Sequence, residues 1–301
     1  MRASAVVCAV FLASPSACGS GIDRSTALVT TPRILAVRAE PPESPPGGAV
    51  SYTALAATPA GSQSDVAIAW SFCTSPALPA EDSSVSSTCI QDTVDPAATG
   101  NDVSLTIPTD ACRVFGPLGM PKQSGKPIVR PAAPDETGGY SQPVRLLWNE
   151  SLTFVFERLT CGPTGVSLDV AQAFRDARRP NQNPQLLPML NDMQGAPVDL
   201  NAVTPGTPIS FSALWTAESA ESYVSIDIEQ VALVTQTEAL WLAWFATGGT
   251  LERDFAIPQA GDTVATNLWQ APNQPGIYYV WTVLHDDRGG VDFAETTITV
   301  M

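Results

Sequence analysis

The clearest pattern of hydrophobic and polar positions lies at the C-terminal end of the chain. Aromatic and β-branched residues dominate positions 277–284 and return, alternating with polar ones, over 291–300. Such residues favour a pleated, half-buried surface. The segment between them, DDRGG at 286–290, ends in two glycines that supply the positive φ angles of a tight turn. The pattern predicts an antiparallel hairpin that closes a β-sandwich.

Two strand patterns of the first half of the chain recur in the second half. Positions 50–55 (VSYTAL) and 209–214 (ISFSAL) are identical or conservatively exchanged throughout, and Pro-Gly precedes both. Positions 68–72 (IAWSF) and 242–246 (LAWFA) form a second related pair. A buried Trp on the third strand is typical of immunoglobulin-like sandwiches, and internal similarity indicates duplicated units. We therefore predict an all-β chain of two tandem immunoglobulin-like antiparallel β-sandwiches.

The distribution of Pro, Gly and small polar residues indicates the domain organisation. The first sandwich carries a long Pro/Gly-rich insertion at 112–140, and one short amphipathic helix at 168–179 ends at Pro180 before the second sandwich. The predicted parts are a lipoprotein signal peptide at 1–17, a flexible tether at 18–31, an Ig-like domain with the insertion at 32–180, and a second Ig-like domain at 181–301.

The N-terminus has the pattern of an export signal. A short positive region is followed by an apolar run at 3–13, which is too short to span a bilayer. Ser16 and Ala17 precede Cys18 as the small residues of a lipobox do, whereas Pro15 stands where an aliphatic residue is usual. We expect Cys18 to be acylated and to anchor the mature chain in a membrane. Ordinary secretion, with Cys18 incidental, is the alternative.

Four further cysteines remain in the mature chain. In an oxidising compartment an even number indicates two disulfides, for which three pairings exist. Cys73–Cys89 is favoured because it closes a Ser-rich loop. Cys112–Cys161 is favoured because it ties the long insertion to a strand end. A zinc site is the alternative, but the chain has no CxxC pair, so we expect no metal there.

The charge balance restricts the classes of partner. The net charge is −15, and charged residues make up only 15% of the chain. Because no basic stripe exists, nucleic acid is not an expected partner. The acidic balance is typical of a solvating exterior outside the cytoplasm. No cofactor is expected.

The sequence lacks the usual signatures of catalysis. No GxSxG, HExxH, GxxxxGK[ST] or GxGxxG pattern occurs, and the only histidine, His285, is interpreted as a solvent-facing residue of the closing turn. We therefore predict that the protein is not an enzyme. Acidic turn residues offer too few oxygens for calcium and are interpreted as turn formers: Asp135, Glu136, Asp286, Asp287 and Asp292.

Seven tryptophans raise the question of a carbohydrate-binding surface. Trp70, Trp244 and Trp281 lie within predicted strands and are assigned to cores. Trp241 and Trp244 differ by three positions, so they cannot both face one side of a regular strand. An exposed aromatic ring can stack on a sugar or a partner. Trp241 and Trp148 are therefore the predicted positions of ligand contact.

Several segments of the mature chain resemble a known group of proteins. These are ILAVRAEPPESPPGG, ETGGYSQPVR, RLTCG, NQNP, NLWQAP..PGIYYVW and DDRGG. They are similar to uncharacterised envelope lipoproteins of high-GC Gram-negative bacteria with Ig-like or PKD-like modules. The resemblance implies the Ig-like fold and a location at the outer membrane or cell surface, but it implies no activity. A periplasmic or secreted protein is the alternative.

Together these features predict a non-enzymatic cell-envelope lipoprotein that presents Ig-like modules for protein interaction or structural spacing. The alternative is a glycan- or polymer-binding accessory module of an envelope system. The expected partners are the membrane, through the lipid anchor, and an unknown envelope protein or glycan.

Overall fold

The computed structural model describes residues 27–77, 83–91, 95–116, 139–163, 166–193, 195–227 and 230–301. The predicted lipidation site Cys18 and the acidic residues Asp135 and Glu136 lie outside these ranges. Within them, none of the helices has the length and hydropathy needed to cross a membrane.

The first half of the described chain forms a sandwich of two sheets. Sheet 1A contains β1 (Arg33–Glu40), β3 (Ala49–Thr58), β4 (Gly61–Gln63) and β7 (Asp102–Thr106). Sheet 1B has the order β2 (Glu43–Ser44), β9 (Ser151–Thr160), β8 (Gly139–Trp148), β5 (Ala69–Phe72) and β6 (Ala98–Thr99). Two short helices, α1 (Ser87–Gln91) and α2 (Ala111–Val114), lie in its connections.

Helix α3 (Leu168–Ala177) leads to the second sandwich. Sheet 2A has the order β11 (Ala196–Pro197), β10 (Leu186–Met193), β12 (Pro208–Trp215), β18 (Val264–Gln270) and β16 (Thr250–Leu251). Sheet 2B has the order β17 (Phe255–Ala256), β15 (Leu240–Ala246), β19 (Gly276–Asp286) and β20 (Val291–Val300). A separate hairpin consists of β13 (Ser222–Asp227) and β14 (Ala232–Thr237).

The duplication predicted from the sequence is present in the strand pairings. β3 pairs with β1 and β7, and its sequence twin β12 pairs with β10 and β18. β5 and β15, which carry Trp70 and Trp244, each pair with the penultimate strand of their sandwich. The edges also correspond, because β2 runs parallel to β9 and Val203 makes a parallel bridge to Val300. The predicted fold of two tandem Ig-like sandwiches is confirmed.

Each sandwich has its own hydrophobic core. Tyr52, Trp70 and Leu146 are fully buried in the first, and Phe211 and Trp269 in the second. All hydrophobic residues of the first core lie within 34–161, and those of the second within 186–300. The proposed boundary between positions 180 and 181 falls between these two sets.

The N-terminal segment of the described chain packs on the second sandwich before it enters the first. The Val29 amide donates to the Ala246 carbonyl at 2.8 Å, and the Ala246 amide donates to the Ala27 carbonyl at 2.9 Å. The Val29 side chain is completely buried. Of the predicted flexible tether at 18–31, the described part from Ala27 onward is not flexible, because it forms strand-like hydrogen bonds; positions 18–26 lie outside the described residues.

Candidate functional site at the junction of the two sandwiches

The two sandwiches contact each other through sheet faces. Along β19, Val280 and Leu284 point into the second core, whereas Trp281 and Val283 point to the opposite face. The outer face of β1 and β3 covers that side. The resulting interdomain cluster consists of Val29, Ala36, Leu55, Ala57, Ala243, Trp281, Val283 and Val291. The four sheets therefore stack in the order 1B, 1A, 2B, 2A.

This stacking explains why β19 is rich in apolar residues at consecutive positions. A strand that is buried on both faces needs hydrophobic residues at consecutive positions, whereas a half-exposed strand alternates. Positions 280–284 are all buried, and so are positions 54–57 of β3. Both strands are thus core strands of the whole molecule, although each belongs to only one sandwich.

A group of hydrogen bonds lies at one edge of the interdomain cluster. The Trp281 indole Nε1 donates to Ser62 Oγ and to Glu295 Oε2, both at 2.8 Å. The Ser62 amide also donates to Glu295 Oε2, at 2.7 Å. Trp281 is completely buried, so its N–H needs a partner inside the protein, and the first sandwich supplies one of the two.

Buried charges occupy another part of the junction. Glu43 of β2 accepts hydrogen bonds from Arg158 Nε at 3.3 Å, from Arg288 Nη2 at 3.2 Å and from Arg178. Arg288 Nη1 donates to Glu238 Oε1 at 3.1 Å. Glu43 belongs to the first sandwich, whereas Arg288 and Glu238 belong to the second. We call these five residues the junction ion cluster.

The acidic turn between β19 and β20 also forms hydrogen bonds at the junction. Asp286 Oδ1 accepts from the amides of Arg288 at 2.8 Å and Gly290 at 2.7 Å. The Asn181 side chain approaches both Asp286 carboxylate oxygens at 3.3–3.4 Å. Asp292 accepts from the Leu186 amide at 2.8 Å and from Arg38 Nη1 at 3.2 Å. N–H donors thus engage both carboxylates.

Burial shifts the ionisation of the carboxyl groups at the junction. It raises the pKa of Glu238 to about 8, an effect that nearby Asp286 increases and that Arg288 opposes. It also raises the pKa of Asp286, although backbone amides counteract this. Glu157, which accepts from the Tyr52 hydroxyl at 2.9 Å, has its pKa raised to about 8 for the same reason. Burial thus disfavours the charged form of each of these three carboxyls.

A cavity of about 280 Å³ opens beside the junction ion cluster. Sheet 1B, helix α3 with the segment after it, and the second sandwich all contribute to its wall. Five arginines and one glutamate line it: Arg158, Arg175, Arg178, Arg179, Arg288 and Glu43. The aromatic rings of Phe174 and Tyr223 also line the cavity. The Arg288 guanidinium carbon lies 4.8 Å from the centroid of the Tyr223 ring. We call this space the arginine cavity.

The sequence-predicted aromatic residues lie elsewhere. Trp241 is on the outer face of sheet 2B, where it is 41% exposed. It stacks on His285 with the ring centroids 3.7 Å apart and the planes 3° apart. Trp148 ends β8 of sheet 1B and packs half-buried against the first core. The two tryptophans thus belong to different sheets of different sandwiches.

His285 is not the solvent-facing turn residue that the sequence suggested. It lies within β19, in register with Trp241 on one side and Val291 on the other. Burial lowers the pKa of His285 to about 4, so the ring is neutral at physiological pH. The prediction was wrong because the strand extends to Asp286, one position beyond the histidine.

The predicted cysteine pairings are present. The structure contains disulfides Cys73–Cys89 and Cys112–Cys161, each with a Cα–Cα distance of 5.5 Å. Disulfides form and persist in oxidising compartments, so they indicate a location outside the cytoplasm. Cys161 also lines the arginine cavity, which places the second disulfide at its wall. Among the residues that the structure describes, no group of His, Cys, Asp or Glu side chains is arranged to hold a metal ion.

Sequence reasoning did not identify the arginine cavity. One local signal exists, since RDARR at 175–179 places three basic residues close together in a strongly acidic chain. The remaining arginines, Arg158 and Arg288, are 130 positions apart and have no common pattern. Only the packing of the two sandwiches brings them to one cavity.

Comparison with known proteins gives structural similarities only. No protein-family model and no curated protein matches the chain. The D00-D0 domain of intimin matches 88% of the chain and 100% of its own length at 12% identity and a TM-score of 0.26. The Yersinia pseudotuberculosis adhesin InvE matches 88% of the chain and 58% of its own length at 10% identity and a TM-score of 0.24. At such scores the likeness carries no functional argument.

Proposed function

We propose that the protein is a non-enzymatic component of the cell envelope whose two sandwiches act as one rigid contact unit. The interdomain cluster is the observation that carries this proposal. Contacts between domains of one chain are usually polar and allow relative motion. Here part of the contact is an apolar sheet-on-sheet layer that contains a completely buried tryptophan, Trp281. Such a unit presents its loops and outer faces to a partner at fixed positions.

The properties of the only histidine support a role without catalysis. General bases work best with a pKa near the working pH. Burial lowers the pKa of His285 to about 4, and its ring is stacked flat against Trp241. His285 is therefore a weak base with one face covered, which fits a packing role in the outer face of sheet 2B.

The membrane anchor in this proposal is tested at Cys18. We expect Cys18→Ala to move the protein from the membrane fraction to the soluble fraction and to abolish incorporation of labelled palmitate, because acylation needs this thiol. Cys8→Ala is the matched control, since Cys8 lies in the predicted signal peptide and should leave both readouts unchanged. Equal membrane association of Cys18→Ala and the wild-type protein would show that the chain has no lipid anchor at this position.

A second candidate function is the binding of a glycan or polymer. The exposed Trp241 ring favours this second function. His285 stacks on one face of the ring and fixes its orientation, and a preorganised aromatic face can stack on a sugar. We expect Trp241→Ala to weaken retention on a glycan array by about 2- to 12-fold, the equivalent of one aromatic stacking contact. Phe255→Ala removes an exposed ring elsewhere and should have no effect. Absence of any glycan retained by the wild-type protein would favour protein contact instead.

A further inference from the structure

The arginine cavity differs in charge from the rest of the molecule. The chain carries a net charge of −15 and has thirteen arginines. Five of these arginines line this one cavity, together with a single carboxylate, that of Glu43. A cluster that served only to link the two sandwiches would need as many acids as bases. The excess of positive charge at this place therefore calls for a separate explanation.

Not all donors of the cavity are used by the protein. Arg288 is only 4% exposed, yet its Nε has no hydrogen-bond partner. Arg175 donates to Gln172 alone, at 2.8 Å, and the Arg179 guanidinium has no partner in the part of the chain that the structure describes. Arg175 and Arg179 are exposed, whereas the Arg288 Nε is buried, and a buried donor without an acceptor is unfavourable. The cavity thus keeps N–H groups that an acceptor from outside the chain could satisfy.

We propose that the arginine cavity binds an oxyanion, such as a phosphate, sulfate or carboxylate group, carried by a ligand of about the size of one sugar. The planar guanidinium group matches these anions with two parallel hydrogen bonds. The volume of about 280 Å³ lies just below the usual range for drug-sized ligands, which suits a small molecule or one terminal residue of a polymer. Phe174 and Tyr223 offer apolar wall to the body of such a ligand.

The position of the arginines implies that the ligand contacts both sandwiches. Arg158 belongs to the first sandwich and Arg288 to the second, while Arg175 and Arg179 come from α3 and the segment that follows it. A ligand held by all of them would bind only the closed junction. By linkage, binding should then stabilise the folded pair of sandwiches against unfolding. The inference does not depend on the lipid anchor, because it concerns the folded chain alone.

The test is a calorimetric titration of the purified full chain at low salt. The probes are glucose 6-phosphate and glucuronate, with glucose as the neutral match. We expect both anions to bind and glucose not to bind, and we expect added salt to weaken the binding. Tighter binding of an oligogalacturonate than of glucuronate would identify a polymer as the source of the anion, and equal binding would identify a free small molecule.

Two double variants separate the cavity from general charge effects. Arg175→Gln/Arg179→Gln removes two arginines that take no part in the junction ion cluster, and it should weaken anion binding at least tenfold. Arg113→Gln/Arg253→Gln removes two surface arginines with side chains 75% and 56% exposed, and it should bind like the wild-type protein. Binding of glucose as tight as that of glucose 6-phosphate, equal binding by both double variants, or no heat with any anion would each overturn the proposal.

Discussion

Replacing Arg288 by alanine is expected to lower the free energy of unfolding by about 3–5 kcal/mol, because it leaves the buried Glu238 without its arginine and takes from Glu43 one of its three arginines. Arg288 is the residue that connects Glu43 of the first sandwich with Glu238 of the second, at 3.2 and 3.1 Å. Both glutamates are almost completely buried, so water cannot replace the lost N–H groups. Chemical denaturation with urea, followed by tryptophan fluorescence, measures the change.

Two further variants show whether the loss comes from unpaired charge. Arg253→Ala is the matched control, since this arginine is largely exposed and its pairing distance to Glu252 is 3.9 Å, so a change within about 0.5 kcal/mol is expected. Arg288→Met combined with Glu238→Gln removes the cation and one buried acid together and should recover part of the stability. A loss below about 1 kcal/mol in Arg288→Ala would mean that the pair contributes little.

Replacing Trp281 by alanine is the second change with a large expected effect. Truncation of a completely buried tryptophan costs about 3–5 kcal/mol. Trp281 also donates to Ser62 across the junction at 2.8 Å. Because it lies in the interdomain cluster and not in either core, we expect the variant to unfold in two separate transitions, one for each sandwich. Differential scanning calorimetry resolves one transition from two.

Trp241→Ala provides the comparison with the same residue type on the same sheet. Trp241 shares the outer face of sheet 2B with Trp281, but it is 41% exposed. Its removal should cost about 1 kcal/mol or less and leave a single unfolding transition. If Trp281→Ala also retained one transition with near wild-type stability, the sandwiches would not be coupled through this contact, and the rigid unit proposed above would lose its main support.

Much of the fold could be predicted from the sequence because its signals are local. The segments at 50–55 and 209–214 alternate in part between apolar and polar residues, and they predicted the equivalent strands β3 and β12. Helix α3 buries Ala171 and Phe174, and the Ser167 hydroxyl at its start accepts from the Val170 amide at 3.3 Å. The sequence therefore determined the class of fold and the duplication, and it favoured the cysteine pairings that the structure contains.

What covers the outer faces of sheets 1A and 2B could be learned only from the tertiary structure. Positions 280–284 are buried on both faces of β19, but a residue period does not tell which distant surface covers the outer face. Glu43 and Arg288 are 245 positions apart, and nothing local marks them as partners. The arginine cavity exists for the same reason. The period of hydrophobic residues indicates which side chains of a strand point to each face of its own sheet. The junction depends instead on how the two folded sandwiches are placed relative to each other.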